Sequence, residues 1–270
     1  MRISILSDEI SVDPVAACEL ASDWGLRHLE LRLWMNTRAP VGMSDADMQR
    51  VRQVAADFGL DFPSISPGLF KLRLDSPEYA EHCGPFRERC FDLAEALGAP
   101  LVVLFPPLCD SFGEWDSYPE HMVADLRACA EAAAARGLTL ALENEPACYG
   151  GSGQSLARLL AAIDHPAMGA NWDPGNHTNA TQEDFRAGYE ALRPYHVHTH
   201  VKDYDTSAGG SAIPPGQGDV DWLGQLQALQ ADGYGGLLVL ETHFVPKIAG
   251  SRACVEGLRK LLAAVGEEAE

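Results

Sequence analysis

Short apolar runs alternate with longer amphipathic stretches from one end of the chain to the other. The runs read as strands and the stretches as helices. Residues 2–6 form the first strand, and Asp13-Pro14 opens a helix that closes at Trp24-Gly25. Residues 28–32 are the second strand, and Ser44-Asp45-Ala46-Asp47 caps a helix ending at Phe58-Gly59. The third strand covers 60–65 and runs into a loop rich in Pro and Gly, and a helix over 85–97 stops at Gly98. Residues 100–105 are wholly apolar, as a strand buried on both faces requires. An Ala-rich helix over 120–136 ends at Gly137, and residues 138–145 make the fifth strand. Helices over 156–163 and 183–192 bracket a sixth strand at 168–173, and Tyr195-His196-Val197-His198-Thr199-His200-Val201 is the seventh. A helix over 221–230, an eighth strand at 237–241 and a last helix over 252–265 complete the pattern.

Alternation of this kind implies parallel strands joined by helical crossovers. An open doubly wound sheet needs a Gly-rich turn after its first strand, and Ser7-Asp8-Glu9-Ile10 is not one. The prediction is an α/β protein built as a single closed (β/α)8 barrel, a TIM barrel, with residues 1–270 as one domain. No shift in composition marks a linker.

Composition narrows the partners. The formal net charge is −19, from 39 acidic and 20 basic residues. Such a field repels phosphate backbones and anionic membrane surfaces, so neither a nucleic acid nor a membrane is expected as partner. No apolar run nears the ~18 residues of a membrane-spanning helix, and acids follow the first apolar residues too soon for a signal peptide. The seven cysteines are scattered without a CxxC pair, which reads as reduced thiols in a cytoplasmic protein. A homo-oligomer is left open.

Reactive groups in such barrels gather at the C-terminal ends of the strands. Strand five ends Glu143-Asn144-Glu145-Pro146 and strand six Asn171-Trp172-Asp173-Pro174. Strand seven ends His198-Thr199-His200-Val201-Lys202-Asp203, and strand eight Leu240-Glu241-Thr242-His243. Period-two alternation puts Glu143 on one face with Ala141, Asp173 with Asn171 and Gly169, and His200 with His198 and His196. Strand eight is apolar on both faces and decides nothing. Three carboxylates and an imidazole in one arc make a poor core, because uncompensated charges repel and lose hydration. A divalent cation among them removes both problems. The oxygen-rich set suits Mn, Mg, Co or Zn and does not choose among them. Singly, each acid is more often a loop cap or ion-pair partner; the four adjacent strand ends together carry the reading. The three histidines of strand seven sit at successive depths, about 6.6 Å apart by strand geometry. Only His200, at the rim, joins the arc, with His198 a support beneath it and His196 barrel filling near the bottom.

The segments LALENEP (140–146), NWDPGN (171–176), HTHVKD (198–203), PPGQGDVDW (214–222) and LVLETH (238–243) together resemble the sugar phosphate isomerase/epimerase family. That family has a xylose isomerase-like TIM barrel and belongs with the AP endonuclease family 2 superfamily. The resemblance runs over essentially the whole chain. It implies a metal-dependent isomerase or epimerase of a small sugar, sugar phosphate or polyol ketone. Glu143, Asp173, His200 and Glu241 would hold one divalent metal ion, and Lys202 and Glu145 would touch the carbohydrate substrate. The family places a histidine three residues after its ligand Asp. Here Asn176 stands there and His177 follows, so His177 is the candidate substrate contact. The endonuclease IV branch uses an Asp-x-His pair after strand seven, where this chain has Asp219-Val220-Asp221. That counts against DNA repair.

Proton loss beside a polarised carbonyl gives an enediolate. Glu143 and Glu241, from opposite ends of the arc, are the candidate acid–base pair. Return of the proton to the neighbouring carbon isomerises, and return to the opposite face epimerises. Loss of a β-hydroxyl dehydrates instead, so an inosose or dehydroshikimate type of dehydratase is the alternative. A non-catalytic sugar-binding protein on the same fold is a further rival. Trp34, after strand two, is a candidate wall against a sugar face, with a packing role an equal reading. Gly216-Gln217-Gly218 and Lys247 are candidates for a phosphate, although a plain turn is the commoner role of such a loop. His28, His82, His121 and His165 read as surface or capping residues, and His243 as a residue of the pocket mouth.

Overall fold

A computed structural model describes residues 1–267. Eight parallel strands close into a barrel: β1 (Arg2–Leu6), β2 (His28–Leu31), β3 (Asp61–Leu69), β4 (Leu101–Leu104), β5 (Thr139–Glu143), β6 (Met168–Trp172), β7 (His196–Val201) and β8 (Leu237–Leu240). Each strand lies beside its sequence neighbour, and β8 closes on β1 through Arg2↔Leu237 to Ile5↔Leu240. Helices of the crossovers pack outside, and this (β/α)8 architecture is the one the alternation predicts.

Local chemistry explains where the helices start. Asp13 accepts from the amides of Val15 and Ala16 with Pro14 at the first helical position, and Ser44 and Asp47 form a reciprocal capping box. The last helix, Lys247–Ala264, begins earlier than the pattern suggests, because Gly250 and Ser251 weaken the helical signal in its first turns. Strand β3 also runs further than expected, through Pro67 and Gly68 to Leu69, whose carbonyl accepts from Phe105. The short helices Ser7–Ile10 and Tyr79–His82 escape the sequence pattern, as does the longer Pro174–Thr181, which is mainly polar. Its signal is the Asp-Pro pair: Asp173 caps it, accepting from the Asn176 amide at 2.9 Å.

The core is continuous between barrel and helices, with Trp172, Trp222, Phe70 and Phe91 among its largest side chains. The upper barrel interior is polar instead, holding Glu30, Ser64, Glu143, Asn171, His198 and His200, all buried. Strand β7 carries a register shift against β6, Ala170 pairing with His196 but Asn171 with His198. That bulge corrects the inward stripe of three histidines. His196 packs on Tyr189, from the helix Phe185–Leu192, and on Tyr234, and it hydrogen-bonds Thr199 Oγ1 at 2.8 Å. It belongs to the helix layer. His28 opens β2, as expected, and meets the exposed Asp61 at 2.6 Å.

Two hairpins stand at the C-terminal mouth, Leu33–Trp34 with Thr37–Arg38 and Asp203–Asp205 with Ser211–Ile213. Among the described residues no helix is long and apolar enough to cross a membrane. None of the seven cysteines is in a disulfide.

Candidate metal centre

Ligand-type atoms of Glu143, Asp173, His200 and Glu241 lie within 4.8 Å of one another, and all four residues are buried. They come from the ends of β5, β6, β7 and β8, the arc predicted from sequence. His200 Nδ1 is 3.2 Å from Glu143 Oε2 and 3.6 Å from Glu241 Oε2. Although buried, it makes no hydrogen bond among the described residues. A buried imidazole nitrogen aimed between carboxylate oxygens, and bonded to none, is what a cation site presents. The donor set therefore fits one divalent ion.

The other ring nitrogen explains the orientation. His200 Nε2 sits 2.9 Å from Glu30 Oε1, while His198 Nε2 and Ser64 Oγ reach Glu30 Oε2 at 2.8 and 2.6 Å. A carboxylate accepting from Nε2–H leaves the Nδ1 lone pair free for a metal, the arrangement that commonly supports metal-bound histidines. Burial opposes the charge on Glu30, and His200 and His198 outweigh it, holding its carboxyl well below the usual range. Sequence reasoning missed Glu30. Its signal was an acid on the inward face of an otherwise apolar strand end, His28-Leu29-Glu30-Leu31.

The two glutamates of the predicted acid–base pair are held differently. Glu143 accepts from neutral amides, Asn171 Nδ2 at 2.9 Å and Asn176 Nδ2 at 3.2 Å. Asn176 therefore stands at the site. His177 does not: it is fully buried against Trp172 and Gly188, with Nδ1 facing the Gly153 amide. That packing in the helix layer corrects the substrate contact assigned to it. Glu241 is gripped by cations instead. Arg32 Nη1 meets its Oε1 at 2.6 Å, and Lys202 Nζ meets its Oε2 at 2.7 Å. Arg32 in turn binds Glu9 at 2.6 Å and Asp8 at 2.8 Å, both on the short helix Ser7–Ile10 after β1. Neither acid nor Arg32 was picked out from sequence.

Lys202 Nζ also faces Asp173 Oδ2 at 2.9 Å, so in this structure the ammonium supplies positive charge among the carboxylates. Burial works against it, but Asp173 and Glu241 hold it charged, well above its ordinary range. Burial raises the Glu241 carboxyl, but Lys202, the neighbouring His200 and His243, and Arg32 outweigh it, leaving it well below the usual range. Asp173 goes the other way, pushed up to about 6 by burial and by Glu143 and Glu241 despite Lys202.

Around this centre, Glu145 pairs with Lys71 at 2.8 Å, half-buried, and Trp34 is half-buried on its hairpin against the core. His243 lies at the rim, 3.4 Å from Glu241 and 3.5 Å from Glu9, with a left-handed φ of 46° that is uncommon for a side chain of its size. The Gly216 and Gly218 amides donate to Asp203 Oδ2 at 2.9 and 3.0 Å, and Lys247 Nζ to the Asp8 carbonyl at 2.7 Å. Those donors are spent inside the protein, so the loop is a turn and not a phosphate cradle.

The fold is a closed (β/α)8 barrel, and the ligand arc at its mouth could hold a metal ion. The chain matches the xylose isomerase-like TIM barrel model over residues 18–262, and it belongs to that family. It is 28% identical over 213 residues to the 3-dehydroshikimate dehydratase of Pseudomonas putida. That match takes in 72% of this chain but 31% of the relative, so the chain spans about a third of that protein's length. Among solved structures, the probable 3-DHS dehydratase AsbF of Bacillus anthracis superposes with a TM-score of 0.77 at 17% identity, over 96% of this chain and 98% of that one. D-Psicose 3-epimerase of Clostridium cellulolyticum gives 0.74 at 18% identity, covering 98% of each. At such identities the structural likeness establishes the fold.

Proposed function

We propose that this protein is a divalent-metal-dependent enzyme that removes a proton next to the carbonyl of a small hydroxylated ketone, as an isomerase or epimerase of sugars does. The observation that carries the reading is His200: its Nε2 is fixed on Glu30, and its unbonded Nδ1 faces the carboxylates of Glu143, Asp173 and Glu241. A metal held by these four residues supplies Lewis acidity to a substrate oxygen. Glu143, steadied by Asn171 and Asn176, is the base that takes the proton. Lys202 and Glu145 reach the substrate's oxygens from the rim. The retained ligand set counts against a merely sugar-binding barrel.

A second reading, dehydration, is favoured by the unequal glutamates. Epimerisation needs one group to take a proton and another to return it from the opposite face. Glu241 has both oxygens ion-paired, to Arg32 and Lys202, which disfavours the protonated form it would need as a donor. In loss of water Glu143 takes the proton from carbon and hands it to the departing β-hydroxyl, so one free base serves both transfers. The curated relative's name, 3-dehydroshikimate dehydratase, points the same way.

The test is incubation of the manganese-, magnesium-, cobalt- or zinc-loaded protein in D2O with ketoses, inososes and 3-dehydroshikimate, followed by mass spectrometry. Deuterium gain with the water retained supports isomerisation or epimerisation, and loss of water supports the dehydratase. A protein that takes up none of the four metals would overturn the whole reading.

A further inference from the structure

The chain is strongly acidic, yet cations crowd the mouth of its barrel. Arg32, Lys71, Lys202 and Lys247 are each engaged, by Glu241, Glu145, Asp173 and the Asp8 carbonyl among others. Arg38 is different. It closes the hairpin Leu33–Trp34 with Thr37–Arg38, directly after β2, and its side chain is half-buried. Its one hydrogen bond among the described residues is a long one, Nη1 to the Ser66 carbonyl at 3.4 Å, and no carboxylate lies within ion-pair distance. The guanidinium lies over Gly68 at the end of β3, where a Cβ would come to 3.2 Å from Nη1. Gly68 also has a left-handed φ of 78°, so a side chain there would be strained as well as crowded.

Open space adjoins it. Arg38, Gly68 and Lys71 line a cavity of about 320 Å3 together with His82 and Phe86, and the exposed Glu78 and Glu81 form part of its wall. The same cavity is lined by Lys71, whose ammonium pairs with Glu145, two residues beyond Glu143, so Arg38 stands at the same C-terminal mouth as the metal centre. A planar fork of donors, held in place and left without an acid, is suited to a carboxylate or a phosphate, which it can bind with two parallel hydrogen bonds. In a protein that otherwise repels anions, such a group has a further use. It gives an anionic substrate a local destination in an unfavourable field.

We infer that Arg38 is a specificity-determining residue that binds the anionic group of the substrate, so that the substrate is a hydroxylated ketone carrying a carboxylate or a phosphate. The inference rests on the metal-enzyme reading for the ketone, and on Arg38 itself for the anion. The test measures dissociation constants by calorimetry for three probes on the manganese-loaded and the metal-free protein. The probes are 3-dehydroshikimate, a carboxylate; D-fructose 6-phosphate; and D-tagatose, which is neutral. Arg38→Gln should weaken one of the anionic probes about 10- to 100-fold and leave manganese binding and any D-tagatose binding unchanged. Arg38→Lys, keeping the charge without the fork, should recover part of the loss. The probe that loses affinity identifies the anion as carboxylate or phosphate. The inference is overturned if neither anion binds, if Arg38→Gln leaves both anionic constants where they were, or if it weakens D-tagatose or manganese equally. Failure to bind any divalent ion removes the metal-enzyme reading instead, and the metal-free comparison still decides the role of Arg38.

Discussion

Glu30 offers a sharp perturbation of the centre because it touches no candidate ligand except His200. Replacing it with glutamine keeps the shape and removes the charge. The amide oxygen can keep the place of Oε1 opposite His200 Nε2, because Ser64 and His198, which share Oε2, can both turn from donor to acceptor and receive the new NH2. The tautomer of His200 then survives, but the hydrogen bond that fixes it loses its charge. Loss of a carboxylate behind a metal-bound histidine costs roughly 10- to 100-fold in metal affinity. With the tautomer preserved, the lower end is expected, about tenfold or ~1.4 kcal/mol. Glu30→Ala is a cruder test, because it strands Ser64, His198 and His200 in a buried pocket at about 3–5 kcal/mol of stability. Calorimetric titration of manganese into the metal-free proteins measures the difference. If Glu30→Gln binds manganese as tightly as the wild type, His200 is not positioned as a ligand through Glu30, and the argument from its free Nδ1 fails.

Further expectations follow from neighbouring contacts. Lys202→Met leaves Asp173 and Glu241 without their ammonium, so the metal-free variant should lose about 3–5 kcal/mol and gain more melting temperature on metal addition than the wild type does; equal gains would show that Lys202 is not the internal counter-charge. Metal uptake needs Asp173 deprotonated, and its carboxyl is pushed up to about 6, so affinity should fall as pH is lowered through that value; an affinity that rises on acidification would contradict the assignment of Asp173 as a ligand. Asp203→Ala removes the acceptor of the Tyr204, Gly216, Gly218 and Val220 amides. Hydrogen exchange should then accelerate through 204–220, at a cost of roughly 2–4 kcal/mol, and unaltered exchange would mean that the loop is anchored elsewhere. At Gly153 a Cβ would meet Gly188 Cα at 2.5 Å, so Gly153→Ala should lower stability by about 1–3 kcal/mol in a thermal melt.

The barrel and its ligand arc were legible because both rest on local rules. Alternating apolar runs give the strands, and the same period tells which side chains share a face. The arc from Glu143 to Glu241 needed only strand ends and barrel order. What could not be read depends on breaks in that period or on contacts across the barrel. The bulge between His196 and His198 turns His196 toward Tyr189, and nothing in YHVHTH announces it. Asn176 and His177 are adjacent in sequence, but the helix begun by Asp173 points one at Glu143 and the other at Trp172. Helical geometry separates neighbouring residues by about 100°, so missing that helix exchanged their roles. Arg32 reaches acids that follow β1 and β8, a convergence that only barrel closure creates.

The polar column below the site accounts for why a stable barrel should carry such an expensive interior. From Ser64 through Glu30 to His198 and His200, each polar contact is buried, and Glu30 has both oxygens occupied. Apolar filling at those positions would be at least as stable, since buried ion pairs rarely outdo hydrocarbon. It would leave His200 free to rotate or change tautomer, though, and the nitrogen facing Glu143, Asp173 and Glu241 would no longer be fixed. The alternation of strand β7 therefore divides labour by depth. His198 shares Glu30 with His200 and holds that carboxylate in place, and His200 alone turns a free nitrogen to the rim. The same logic separates Glu143 from Glu241. Amides steady the first without neutralising it, while Arg32 and Lys202 bind the second so firmly that accepting a proton is its least favoured act. A centre arranged this way has one carboxylate hydrogen-bonded to neutral amides, one bound by two cations and a fixed imidazole, which agrees with the proposed chemistry that begins with a single proton removal.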